Sequence, residues 1–158
     1  MSNNAPTNIS LTKFEWTRLV GTWDYENGYD LTTGADGSIY IAGYTLGDLD
    51  GQTNSGGYDA FISKFNPNGT KEWTRLLGTS DNDEANALTT GADGSIYIAG
   101  RTEGDLDGQT NHGGYKDAFI SKYNADGTKD WTRLLGTSDW DSGRSLTTGV
   151  DGSIYIAG

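Results

Sequence analysis

The sequence of 158 residues contains no cysteine, one histidine (His112), one methionine and two prolines. Disulfide staples, thiolate nucleophiles and cysteine-ligated zinc or iron–sulfur centres are therefore excluded. One imidazole leaves no His-pair metal site, and a Ser-His-Asp type of enzyme would depend on His112 alone. Basic residues are also scarce, with 11 Lys and Arg against 22 Asp and Glu for a formal charge of −11. A nucleic acid or an anionic membrane would meet a like-charged surface, so neither is expected as a partner. Long apolar runs are missing as well. No segment approaches a membrane span, and Met1 to Lys13 lacks the apolar stretch of a signal peptide, which predicts a soluble chain without membrane insertion.

What is present points to a folded, turn-rich protein. Hydrophobic residues make up only 34%, but five Trp, nine Tyr and four Phe supply ample surface to bury, and 24 Gly supply turns. Of the acidic residues 17 are Asp and 5 are Glu. That bias belongs to turns and oxygen-ligand loops, not to helices.

The decisive feature is an internal repeat. Trp16-Thr17-Arg18-Leu19 recurs as Trp73-Thr74-Arg75-Leu76 and as Trp131-Thr132-Arg133-Leu134, at spacings of 57 and 58 residues. Residues 16–72 agree with 73–130 at 42 of 57 positions, Lys116 being the extra residue of the second copy. The chain thus divides into an N-terminal segment or edge strand (1–15), two full units (16–72 and 73–130) and a partial third (131–158). A period near 50 marks units that cannot bury their own faces alone, as in solenoids, arrays and propellers.

Each unit reads as four strands: Leu-Thr-Thr-Gly, Ser-Ile-Tyr-Ile-Ala-Gly, Asp-Ala-Phe-Ile-Ser-Lys-Phe and Glu-Trp-Thr-Arg-Leu-Leu. Asp36-Gly37, Asn68-Gly69, Asp93-Gly94, Asp126-Gly127 and Asp151-Gly152 supply tight turns. Apolar groups occur on both faces, as in a sheet covered on both sides. Stacked four-stranded sheets arranged radially form a β-propeller, here an all-β partial propeller of about 2.75 blades with about eleven strands. The expected core is Ile39, Ile41, Phe61, Ile62, Leu76, Ile96, Ile98, Phe119, Ile120, Leu134 and Ile154.

The run Gly57-Tyr58-Asp59-Ala60-Phe61-Ile62-Ser63-Lys64-Phe65-Asn66, with Asp93-Gly94-Ser95-Ile96-Tyr97-Ile98-Ala99-Gly100, resembles the bacterial SBBP-type β-propeller repeat. The resemblance implies a repeat of seven-bladed propellers in large secreted or surface-attached bacterial proteins, and hence an extracellular or cell-surface location. It implies no defined catalytic residues.

Strand order places the two hairpin turns of a unit at one edge and its two long connections, residues 43–58 and 21–30, at the other. Functional groups concentrate on such loops. Asp48 and Asp50, repeated as Asp105 and Asp107, alternate around a glycine and are candidate Ca²⁺ ligands, although the spacing departs from an EF-hand and no cofactor is required. The loop after the fourth strand differs most between copies. Its Trp23, Tyr25, Tyr29, Trp140 and Arg144 are candidates for stacking on and hydrogen-bonding a glycan or a protein ligand. Trp16, Trp73 and Trp131 recur in every unit and read as packing anchors. The Arg18, Arg75 and Arg133 column reads as structural, and His112 as incidental.

These features favour a non-catalytic binding or structural module. The rival is a glycoside hydrolase using paired carboxylates such as Asp48 with Asp50 or Asp24 with Glu26, but those acids repeat with the scaffold whereas a catalytic centre is usually unique. Incomplete blades leave apolar faces and strand edges uncovered, so self-association is expected. If Asn8 to Phe14 adds a strand, two chains could close a six-bladed ring.

Overall fold

Five copies of one turn set the strands. Gly37, Gly69, Gly94, Gly127 and Gly152 all have φ between 79° and 82°, a left-handed conformation that a Cβ disfavours. In each turn the preceding Asp or Asn accepts the N–H two residues on: Ser38 to Asp36 at 2.9 Å, Thr70 to Asn68 at 2.9 Å, Ser95 to Asp93 at 3.0 Å, Thr128 to Asp126 at 2.8 Å and Ser153 to Asp151 at 3.0 Å. All five turns expected from the sequence are present. They are type I turns closed by a glycine bulge, with Gly37 N–H bonded to Gly34 C=O at 3.0 Å and Gly34 N–H bonded to Ser38 C=O at 2.8 Å.

The computed structural model describes residues 16–158. The edge strand expected from Asn8 to Phe14 lies outside the described residues. Strands β1 (Glu26–Thr33), β2 (Ile39–Thr45), β3 (Asp59–Phe65) and β4 (Lys71–Leu77) form one antiparallel sheet in chain order. Strands β5 (Asp83–Thr90), β6 (Ile96–Thr102), β7 (Asp117–Tyr123) and β8 (Lys129–Leu135) form a second, and β9 (Ser145–Thr148) pairs with β10 (Ile154–Ala157). Among the described residues one 3₁₀ turn, Leu49–Gly51, interrupts an otherwise all-β architecture. The first two sheets are four-stranded blades of a partial propeller, and β9 with β10 is the two-stranded part of a third.

Three expectations are corrected. Trp16 to Val20 forms no strand, so ten strands are present among the described residues and not eleven. A strand exists by hydrogen-bonding to a neighbour, and this segment has no strand beside it among those residues. The first strand of each blade also begins earlier than Leu31 and Leu88, at Glu26 and Asp83. Its polar half looks like a loop, yet pairing with an equally long second strand imposes extension, from Glu26↔Thr45 and Asp83↔Thr102 onward. Lastly, Ile39, Ile41, Leu76 and Ile154 are only half-buried, whereas the other seven expected core residues are buried. Ile39 and Ile41 show why: their counterparts Ile96 and Ile98 lie between two blades, and they do not.

The blades pack through one shared cluster. Tyr40, Ala42, Ala60, Ile62 and Leu77 of the first blade meet Leu88, Ile96, Ile98 and Phe119 of the second. The innermost strands β1, β5 and β9 are also linked across blades. Leu88 N–H donates to Asp30 Oδ2 at 2.8 Å, Thr90 Oγ1 to Thr33 C=O at 3.3 Å and Thr148 Oγ1 to Thr90 C=O at 3.1 Å. Outside, the recurring Trp and Arg act together. Each guanidinium lies 5.5 to 5.9 Å from the ring of Trp16, Trp73 or Trp131, while Arg18 and Arg75 donate through Nε to Gly69 C=O and Gly127 C=O, both at 2.8 Å. The Arg75 bond joins the outer strand of one blade to the hairpin turn of the next.

Candidate functional site at the long-connection edge

The β2–β3 connection, residues 46–58, is pinned by Leu49, which is fully buried. With Asp50 at φ 54° the chain folds back over β4, where Lys71 Nζ and Thr74 Oγ1 both donate to the Asp50 carboxylate. Burial would raise the Asp50 carboxyl, but the Lys71 and Thr74 hydrogen bonds and the Lys71 charge outweigh it and hold it below its ordinary value. Asp107 repeats the arrangement with Lys129, and there too the partners outweigh burial. Asp48 and Asp105 serve other donors, accepting Asn54 N–H at 2.8 Å and Asn111 N–H at 2.9 Å. Among the described residues, no group of three or more acidic or His side chains gathers to hold a metal ion. The four candidate calcium ligands are thus placed as loop-fastening acceptors.

At the base of this loop lies an aromatic cluster. Tyr25 stacks on Tyr44 at 6.0 Å, Tyr29 tilts against it at 5.5 Å, and Tyr58 closes the other side at 4.6 Å. Burial pushes the Tyr44 hydroxyl up to about 12, so the ring stays neutral, with Asn27 as a hydrogen-bond partner. Tyr25 and Tyr29 remain exposed. Sequence reasoning passed over Tyr44 and Tyr58. The signal was available in Tyr44, which stands where the second unit has Arg101.

Tyr29, Asn86 and Arg144 occupy equivalent places in the three units, and a cavity of about 300 Å³ gathers them with Glu84 and Arg101. The first two are the extra residues of β-bulges, at the register shifts between Gly28 and Asp30 and between Ala85 and Ala87. A bulge re-aims its side chain, which is how a position on a paired strand reaches a cavity. Arg101 Nη2 bonds Glu84 Oε1 at 2.6 Å. Trp140 meets Tyr115 edge-on at 6.4 Å, with Lys116 Nζ 5.1 Å from its ring, and shares a second cavity of about 120 Å³ with Arg101 and Arg144. Arg144 therefore joins Tyr29 on one side and Trp140 on the other. Trp23 stands free in solvent and is not brought to them.

Beneath this edge lie three buried carboxyls, Asp59, Asp83 and Asp117, each with one oxygen, Oδ1, that lacks a hydrogen-bond partner among the described residues. Asp83 Oδ2 accepts Thr79 N–H at 2.7 Å, and Asp117 Oδ2 accepts His112 N–H at 2.9 Å and lies 2.7 Å from its Nδ1. The imidazole read as incidental is therefore held by a buried carboxyl. Desolvation raises Asp59 above its ordinary value and lifts Asp83 to about 6.

Residues 72–107 match the SBBP β-propeller repeat. The repeat units are thus of β-propeller type. Residues 34–72 match a β-propeller domain of unknown function, DUF5122, so the two matched segments share an end at the β3–β4 hairpin's second strand. The chain is also 31% identical over 139 residues to the regulatory protein FlaEY of Caulobacter vibrioides. That alignment covers 80% of this chain and only 15% of the length of the relative.

Proposed function

We propose that this SBBP repeat module is a non-catalytic scaffold of a secreted or cell-surface bacterial protein, and that its long-connection edge holds a glycan or protein ligand. The observation that carries this reading is where the aromatic rings differ between copies. Tyr25, Tyr29 and Tyr44 of the first unit stand where the second has Asn82, Asn86 and Arg101, and the variable positions gather at one edge beside exposed rings. Scaffold positions repeat, whereas recognition positions diverge. Rings next to Asn, Arg and Glu suit a sugar, which offers an apolar face to stack and hydroxyls to bond.

A regulatory part is also what the name of the FlaEY relative suggests. For the non-catalytic reading, the carboxyls raised most by their surroundings, Asp59 and Asp83, are fully buried, where no glycoside could reach them. Glycan-array screening followed by titration of the best hit tests the proposal. Trp140→Ala and Tyr29→Ala are expected to weaken binding about tenfold or more, in the range of interface anchors. Binding that survives both would overturn the site, and glycoside turnover abolished by one Asp→Asn change would overturn the non-catalytic reading.

That Lys71 pairs with Asp50 and Lys129 with Asp107 supports a fold that does without calcium. A cation bound only by the folded state would raise stability by mass action, so the melting temperature is expected to agree to about 1 °C in excess EDTA and in millimolar Ca²⁺. A clear rise with Ca²⁺ would restore the Asp48/Asp50 and Asp105/Asp107 sites.

A further inference from the structure

The interface between the first two blades has two unlike halves, and the described chain leaves one of each uncovered. The half contributed by the second blade includes Leu88, which is 4% exposed; its counterpart Leu31 in the first blade is 65% exposed. A groove of about 270 Å³ lies there, lined by Leu31, Ile41 and the bulge at Gly28 to Asp30. The half contributed by the first blade includes Tyr40, which is 3% exposed; its counterpart Tyr155 on β10 is 57% exposed. The uncovered faces are therefore not two similar patches. They are the two complementary sides of one interface that the chain already makes internally.

We propose that this 158-residue chain associates head to tail, the Tyr155 face of one copy seating on the Leu31 face of the next. The internal interface is the template. Tyr155 and Ala157 would cover Leu31 and Ile41 as Tyr40 and Ala42 cover Leu88 and Ile98. The inner-strand ladder continues, because Thr90 Oγ1 bonds Thr33 C=O and Thr148 Oγ1 bonds Thr90 C=O. Thr33 Oγ1 of the second copy then meets Thr148 C=O of the first.

The same placement makes a shared blade. Trp16 bonds Pro67 C=O at 3.0 Å and Arg18 bonds Gly69 C=O at 2.8 Å, as Arg75 does to Gly127 C=O in the next blade. Trp16 to Arg18 thus occupy the place of the outer strand of a blade preceding the first. Strands β9 and β10 are the inner strands of a blade following the second. One copy supplies the inner part and the other the outer part of a single blade. A heterologous contact closes into a ring when its rotation does, and the rotation between propeller blades is a closing one. The product is a discrete ring of few copies and not a filament.

Native mass spectrometry and light scattering at micromolar concentration test this. Wild type is expected as one discrete oligomer, and Leu31→Asp and Tyr155→Asp each as monomers with unchanged circular dichroism. Mixing the two variants restores one intact interface and is expected to give a 1:1 heterodimer. Three results would overturn the proposal: monomeric wild type, an open-ended ladder of masses, or Tyr155→Asp that still pairs with itself. The last would show a face packing on its own copy. Both substituted residues are exposed, so each variant retains the internal interface and a loss of association is not a loss of fold.

Discussion

Gly100→Ala is expected to destabilise the chain by about 3 kcal/mol or more, the range reserved for backbone clashes and broken cores. A Cβ at Gly100 would lie 2.8 Å from the Glu84 carbonyl carbon and closer still to its oxygen. That carbonyl cannot retreat, because the β-bulge at Asn86 presses β5 against Gly100 and the neighbouring Gly143 N–H bonds Gly100 C=O at 2.9 Å. Gly43 faces the Asn27 carbonyl in the same way in the first blade. The control is Gly108→Ala. That glycine has φ 73° but open space around its Cβ position, so only the conformational cost of about 1 kcal/mol is expected. Urea denaturation compares the two, and equal losses would show that the close approach carries no weight.

The second large effect is a pH dependence centred on Asp83. Burial raises its folded value to about 6, against an ordinary 3.8, so the folded chain holds a proton that the unfolded chain has released. The stabilisation is full below about pH 4 and is lost as pH rises through about 6. It amounts to about 3 kcal/mol, since each tenfold difference in proton affinity between the folded and unfolded chain is worth about 1.4 kcal/mol. Asp36, Asp93 and Asp151 act in the opposite sense. Ser backbone N–H groups hold them below the ordinary value, so their contribution is present above about pH 4 and disappears in acid.

Between pH 4 and 7 wild type is therefore expected to lose stability more steeply than Asp83→Asn, whose remaining loss in that sense comes from buried Asp59, and the variant is the more stable at pH 7 to 8. Asparagine keeps an oxygen for the Thr79 N–H and carries no charge to bury. Thermal melts of both chains across that range measure it. A difference between them that does not change with pH would show that Asp83 is ionised in the fold.

The sequence by itself determined what is local or repeated. Asp-Gly and Asn-Gly steps specify their turns because the glycine must take positive φ and the side chain before it bonds two residues on, and a period of 57 to 58 residues with four strand-like runs leaves little but propeller blades. Trp16, Trp73 and Trp131 were legible as anchors because scaffold roles recur at the repeat spacing. Tertiary structure decided what depends on partners distant in the chain. The Glu26 to Asp30 stretch is strand only because β2 pairs with it, and Asp50 faces Lys71 only because Leu49 turns its loop inward. Tyr29 and Arg144 share a cavity because bulges and neighbouring blades aim them there, which no one-dimensional pattern encodes. Burial of Ile96 but not Ile39, at positions with identical neighbours in sequence, follows from which blades have another blade on each side.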